Sequence, residues 1–437
     1  MKFARLADAA FLLLLAIYIV AGTILAPFHG DESTLIYMSR DYAYQFLQGD
    51  VDRVRYNDPP LSVTEQELRL LNGTLPKYLI GLAWHLGGFT VDDLNEQWDW
   101  GADWNYNQST GHAPSDSLLQ ISRLPSALLL AAGVIFLFAI GRSLGGRPVA
   151  YLASLYYALN PALLLNGRRA MMEGSLTAFS LLALLTAIWL LHEKRGWIAI
   201  LLGVASGLAL ASKHSASFGI IALFVACALY PLVQWVAEKK QSALRLDALL
   251  LLAGGITLIL FYALNLAWWG DPFARLSEVL RLRTDLLAGQ TAAFGGYASL
   301  GEALAGFFRQ VFANLPQYYE VPAWANYIAE PIARYEVSVW RGVSLGGSTI
   351  GGIILLILVV IGFYALVRNK TTSQATRWLV GVWALMMFAS TALLTPLEWQ
   401  RYYLPAYPAV GLMAAYGIVW LARRISARYS AATALES

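Results

Sequence analysis

Residues 118–141 read LLQISRLPSALLLAAGVIFLFAIG, and between Leu124 and Ile140 no residue carries a charge. A helix rises about 1.5 Å per residue, so roughly 20 mainly apolar residues cross the hydrocarbon core of a bilayer. Outward from this stretch, nine others reach or approach that length: 8–26, 148–166, 173–191, 196–212, 214–236, 246–268, 346–367, 377–395 and 402–421. The fold class that follows is an all-α polytopic membrane protein with about ten spans. Composition agrees. Of 437 residues, 58% are hydrophobic and 14% charged, where soluble chains carry about a quarter charged. The formal net charge of +3 gives no reason to expect a nucleic-acid partner, and the single Cys227 rules out disulfides and thiolate metal sites.

The distribution of charge says more than its sum. Of the 28 acidic residues, 14 fall between Pro27 and Ser117, opposed there by Arg40, Arg53, Arg55, Arg69 and Lys77 alone. Short loops rich in Lys and Arg stay in the cytoplasm. Lys2 and Arg5 therefore place the N-terminus inside and the acidic loop 27–117 outside. Arg142 and Arg147, then Lys194 and Arg195, then Lys239, Lys240 and Arg245, then Arg368, Lys370 and Arg377 mark every second junction as cytoplasmic. Arg423, Arg424 and Arg428 end the chain on that side, giving a multi-pass protein of the plasma (inner) membrane with both termini in the cytoplasm. The first apolar run follows Lys2 and Arg5 as a signal peptide would, but it is long for one. It also lacks a good small-residue cleavage pattern before Pro27, so it reads as a retained span.

Two stretches of the acidic loop, 33–48 and 76–86, read as helices lying in the outer interface. Counting 76–86 as a span would invert every later loop. A second outer loop, 271–345, is rich in Tyr, Trp and Pro. The chain divides into a transmembrane core over 1–270 that includes the loop 27–117, the loop 271–345, and C-terminal helices over 346–437.

Charges at outer span ends are the candidates for chemistry. Asp31-Glu32 follows the first span and suits general bases, metal ligands or the solvated start of a helix. Glu173 lies in NGRRAMMEGS with Arg168 and Arg169, which is either a structural ion pair or an anion site beside a carboxylate. Lys213 and His214 close one span and Arg401 opens another; each could simply snorkel to headgroups. With Lys77, four outer junctions present a cation, and the set suits a membrane-embedded phosphate ester. The five histidines show no metal-ligand spacing, and no Gly-rich phosphate loop is present. Trp98, Trp100, Trp104 and Tyr106 read first as an interfacial belt, alternatively as a sugar-stacking platform.

In their order these residues resemble the lipid-carrier-dependent integral membrane glycosyltransferases of the GT-C fold. The branch is that of the protein O-mannosyltransferases and lipid A aminoarabinose transferases, with their bacterial relatives. Asp31-Glu32 matches the acidic pair after the first span, and TLPKYLIGLAW the interfacial motif containing Lys77. Arg123, Pro125, Ser126 and Ala127 match R-x-P-S-A, followed by GRSLGG and NGRRAMMEGS. GLALASK ends in Lys213 and RYYLPAYP opens with Arg401. The family's Pro-Pro pair beside the motif lysine is Leu75-Pro76 here.

The resemblance implies inverting transfer of one sugar from a polyprenyl-phosphate donor to a hydroxyl on the outer face, in cell-envelope assembly, by a mannosyltransferase-like enzyme. It implies a hexosyl- or pentosyltransferase, with no cofactor and no catalytic metal. Asp31 would be the base, with Glu32 and Glu173 positioning it or the acceptor, while Lys77, Arg168, Lys213 and Arg401 would hold the donor phosphate. The acceptor, which the loop 271–345 would hold, is left as lipid, glycan or protein. A transporter, a non-catalytic subunit that binds a lipid-linked ligand, and a ligase for whole lipid-linked oligosaccharides are the competing readings.

Overall fold

The computed structural model describes residues 2–238, 244–313 and 315–436. Lys239 and Lys240, two of the residues used to orient the chain, lie outside them. Among the described residues there is no strand. The principal helices are α1 (Lys2–Ala21), α2 (Gly30–Met38), α3 (Val63–Leu71), α4 (Thr74–Leu86), α5 (Asp116–Gly145), α6 (Arg147–Leu159), α7 (Pro161–Gly167) and α8 (Glu173–Glu193). They continue with α9 (Gly196–Ser212), α10 (Ala216–Glu238), α11 (Leu244–Leu264), α12 (Pro272–Phe294), α13 (Ala325–Glu336), α14 (Thr349–Arg368), α15 (Gln374–Leu393) and α16 (Tyr407–Glu436).

Each of the ten apolar segments is helical. Eight helices are long and apolar enough to cross a membrane: α1, α5, α8, α10, α11, α14, α15 and α16. The α6–α7 pair makes a ninth if it is one span bent by 58°, and α9 is apolar but only 17 residues long. The bend has a local cause. Pro161 removes a backbone donor and disfavours helix at Asn160. The Asn160 side chain then caps the new helix, accepting from the amides of Ala162 and Leu163 at 3.0 Å each. The short α7 carries the chain to Arg168 and Arg169 just before α8 begins.

At the centre α8 packs between α5 and α9, α9 packs on α11, and α10 packs on α15. On the other side α16 packs against α6 and α14. Close helix approach in a bilayer favours small residues, and Gly174 shows why. A Cβ there would lie 2.0 Å from the Ser126 carbonyl oxygen, so a side chain would push α8 off α5. At the end of the bundle away from the long loops, Asp8 of α1 is buried against Arg147 (3.0 Å), Arg142 (3.5 Å) and the Tyr151 hydroxyl (2.8 Å). His192 meets Thr376 and Arg423 meets the Gly145 carbonyl at the same end, so the basic junctions share one face.

The opposite face carries both long loops. Helices form at 30–47 and 74–86, as expected for the interfacial segments. The loop 271–345 is also largely helical, through α12 and α13. The two loops interlock over the bundle through aromatic rings and buried ion pairs.

Candidate active site

A cavity of about 1120 Å³ opens beneath the two loops. Its lower part runs down between α8, α10 and α15, lined by Leu176, Leu181, Ile220, Leu223, Trp383 and Met387. Its upper part carries the charges that line it. Asp31, Glu173, Lys213 and Arg401 are all there, joined by Asp103, Arg283, Glu320 and the His214 imidazole.

Asp31 sits in the first turn of α2, whose start is fixed by a capping box. The His29 ring Nδ1 accepts from the Asp31 amide at 3.1 Å, while Glu32 accepts from the His29 amide at 3.1 Å. Because Nδ1 accepts, the His29 proton lies on Nε2, which donates to Glu320 Oε2 at 2.5 Å. Burial pulls the His29 imidazole below its ordinary pKa despite Glu320. Burial would raise the Glu320 carboxyl, but His29, Arg169 and Lys213 hold it below the usual range. The pair is therefore a neutral imidazole donating to a carboxylate.

Arg401 completes the group. Its guanidinium pairs with Asp31, and its Nε lies 3.4 Å from Glu320 Oε1. One cation thus faces two carboxylates from different loops. Beside it Lys213 Nζ contacts Glu173 Oε1 at 3.0 Å, and the other Glu173 oxygen is buried without a hydrogen-bond partner. Tyr402 joins the two groups, its ring lying 5.9 Å from Lys213 Nζ and 5.6 Å from the Arg401 guanidinium carbon.

Three residues expected at the site are placed elsewhere. Glu32 is fully buried and does not line the cavity. Its carboxylate accepts from Arg123 Nε (2.7 Å) and Nη2 (2.9 Å), the Ala170 amide (2.8 Å) and the His29 amide (3.1 Å). It is a structural counterion tying α2 to α5 and to the turn before α8.

Lys77 is buried on α4 and gives its ammonium to Asp41 at 2.5 Å, beside Arg69, which binds the same carboxylate. A buried cation needs a counterion, and the acidic loop supplies Asp41, so Lys77 stands away from the cavity.

Arg168 spends its guanidinium on the carbonyls of Ile19 (2.8 Å) and Tyr18 (2.7 Å), the Tyr335 hydroxyl (2.9 Å) and the Trp340 carbonyl. It ties α1 to α13 and contributes nothing to the cavity wall. Its neighbour Arg169 likewise donates to the carbonyls of Pro27 and Tyr318.

Sequence reasoning missed His29, Arg283 and Glu320. Glu320 lies in QYYEVPAW, where no periodicity or spacing distinguishes it from the other acids of its loop. Arg283 is one of three arginines on α12, and only the fold shows which one lines the cavity.

Residues 66–271 match the family described as dolichyl-phosphate-mannose-protein mannosyltransferase. No curated protein is significantly similar in sequence to this chain. Among solved structures, the archaeal oligosaccharyltransferase AglB from Archaeoglobus fulgidus, in complex with an inhibitory peptide and a dolichol-phosphate, superposes with a TM-score of 0.56 at 13% identity. That match covers 99% of this chain and 52% of AglB. ArnT from Cupriavidus metallidurans bound to undecaprenyl phosphate superposes with a TM-score of 0.50 at 14% identity, covering 98% of this chain and 63% of that one. The chain thus spans about half the length of the first relative and just under two thirds of the second. The chain shares the GT-C fold of these two structures, and its residues 66–271, just under half of its length, match the model of the dolichyl-phosphate-mannose-protein mannosyltransferase family.

Proposed function

We propose that the protein transfers a single sugar from a polyprenyl-phosphate carrier to an acceptor hydroxyl on the outer membrane face, with inversion. The observation that carries this reading is the two-part cavity: Asp31, Glu173, Lys213 and Arg401 surround the head of an apolar slot between α8, α10 and α15. The slot would take the head end of a prenyl chain, which would leave its phosphate beside Lys213 and Arg401. The basic junctions at the opposite end of the bundle support placing this head on the outer face. The loop 271–345, through α12 and α13, shares the upper wall with the first loop and would hold the acceptor.

The chemistry follows from the charges. The acceptor oxygen attacks the anomeric carbon as its proton passes to the Asp31 carboxylate. The bond between that carbon and the phosphate oxygen breaks, and the carrier leaves as a phosphate monoester. A leaving phosphate needs charge stabilisation more than a proton, which suits cations and no separate acid. Attack from the side opposite the phosphate inverts the anomeric centre. Arg401 pairs with Asp31 and Glu320, and Lys213 with Glu173. Donor phosphate would compete with these carboxylates for the cations and release Asp31 to act as base. Glu173 and Glu320 would position Lys213 and Arg401.

The test uses purified protein in nanodiscs. Undecaprenyl phosphate alone measures carrier binding, and undecaprenyl-phosphate mannose measures release of the sugar. Lys213→Met and Arg401→Met should each weaken carrier binding by about tenfold, and Asp31→Asn should bind the carrier yet lose turnover. Wild-type turnover by Asp31→Asn would sink Asp31 as the base, and unchanged carrier binding in both cation variants would sink the phosphate assignment.

A further inference from the structure

Above the charged group the cavity wall changes character. Trp98, Trp100 and Trp104 of the first loop meet Trp324 and Tyr327 of the second, and all five rings line the cavity. Trp324 is the hub, with centroids 5.8, 5.4 and 5.7 Å from those of the three tryptophans. Trp100 stacks on it at 21°, and Trp104 stacks on Tyr327 at 11° and 5.8 Å. Trp98 and Trp324 are buried, whereas Trp100 is 49% exposed and Tyr327 43% exposed. The inner rings fix the cluster and the outer rings remain open.

The cluster lies against the reaction centre. A Cβ on Gly30 would sit 2.9 Å from Trp324 and 3.0 Å from Trp100, so these rings touch the backbone next to Asp31. Trp324 also packs edge-on against His29, with centroids 5.7 Å apart. Gln97, Asp103 and Asn326 line the same wall. Rings of an interfacial belt sit at the headgroup level of the bilayer; these line a cavity instead.

We propose that this aromatic wall is the acceptor subsite and that it takes a neutral carbohydrate. The acceptor would then be a glycan hydroxyl, an assignment that rests on Asp31 being the base. A sugar ring offers C–H groups on its faces and hydroxyls round its edge. Rigid aromatic faces flanked by amide and carboxylate groups meet both. An acyl chain would leave Asp103, Gln97 and Asn326 facing hydrocarbon. A peptide adding to a sheet edge would need strands, and none is present among the described residues. The loop that supplies three of the rings has 14 acidic residues against five basic ones, which disfavours an anionic glycan.

Saturation-transfer NMR on the full chain in nanodiscs tests this, with the aromatic protons irradiated. The probes are neutral linear oligosaccharides of glucose, mannose, galactose and arabinose, set against oligogalacturonate, a Ser/Thr-rich peptide and sugar-free phospholipid vesicles. A neutral oligosaccharide should receive saturation, and Trp100→Ala or Tyr327→Ala should weaken its binding about tenfold. Trp100→Phe should restore most of it. Both side chains are partly exposed, and retained undecaprenyl phosphate binding certifies that each variant is folded. No transfer to any neutral oligosaccharide, equal affinity in Trp100→Ala, or preference for the peptide, the vesicles or oligogalacturonate would overturn the proposal. Failure of the donor reading is separate, because it shows as undecaprenyl phosphate binding that ignores Lys213 and Arg401.

Discussion

Glu32 and Asp31 are neighbours in sequence with opposite placements, and Glu32→Gln tests that separation. Glu32 accepts two charge-assisted bonds from Arg123 and one bond from each of two backbone amides. Gln keeps the shape but replaces one acceptor oxygen with an NH2 group, which then faces N–H donors. It also removes the negative charge, leaving Arg123 buried with no carboxylate. Arg123 also reaches the Thr23 carbonyl at 3.1 Å, which satisfies one nitrogen but supplies no charge. Removing one partner of a buried pair destabilises by about 3–5 kcal/mol. Burial would raise the Glu32 carboxyl, yet Arg123 and Arg169 keep it below its usual range, so the charged form is the one that folds.

Thermal unfolding in nanodiscs, followed by intrinsic fluorescence, should show a clear loss for Glu32→Gln. The double variant Glu32→Gln/Arg123→Gln should recover part of it, since the stranded cation has gone. The cycle of the two single variants and the double should then give a coupling of roughly 1–3 kcal/mol. Asp31→Asn should unfold close to wild type, because Asp31 is partly exposed to the cavity and its partner Arg401 keeps Glu320 as a second carboxylate. A Glu32→Gln protein with wild-type stability and no turnover would refute this reasoning and return Glu32 to the reaction itself.

Other expectations can be checked alongside. Lys77→Met should destabilise the loop by about 1–3 kcal/mol, because Arg69 still pairs with Asp41, while changing carrier affinity less than about twofold; unchanged stability with tenfold weaker carrier binding would restore Lys77 as a phosphate ligand. Glu320→Gln keeps an acceptor for His29 but takes a charge away from Arg401. Carrier binding should therefore tighten or hold while turnover falls about tenfold, and weaker carrier binding would contradict a competition between Glu320 and phosphate for Arg401. His214 is held neutral to about pH 4 by burial and by Arg283, against an ordinary value of about 6.5. The unfolded chain therefore binds this proton first, and stability from this residue falls as pH drops from about 6.5 towards 4. His214→Gln should flatten that part of the stability profile relative to wild type, and a parallel profile would exclude the histidine.

Hydropathy is a local property, so the apolar segments, the two loops and the alternation of basic junctions were legible in the sequence. Lipid solvation acts on each helix separately and leaves its mark in consecutive residues. The bend at Asn160-Pro161 is also local, because a proline and a capping side chain are enough to produce it. The roles of the loop charges were a different matter. Lys77, Arg168, Lys213 and Arg401 look alike in sequence, each being a cation at an apolar helix end. Only the fold decides that Asp41 claims Lys77 and that four oxygen acceptors claim Arg168, while Lys213 and Arg401 reach the cavity. Glu320 joins Arg401 and His29 from a loop 291 residues beyond His29. Pairing of buried charges depends on which groups meet across the fold, and no local pattern in a single chain encodes that meeting.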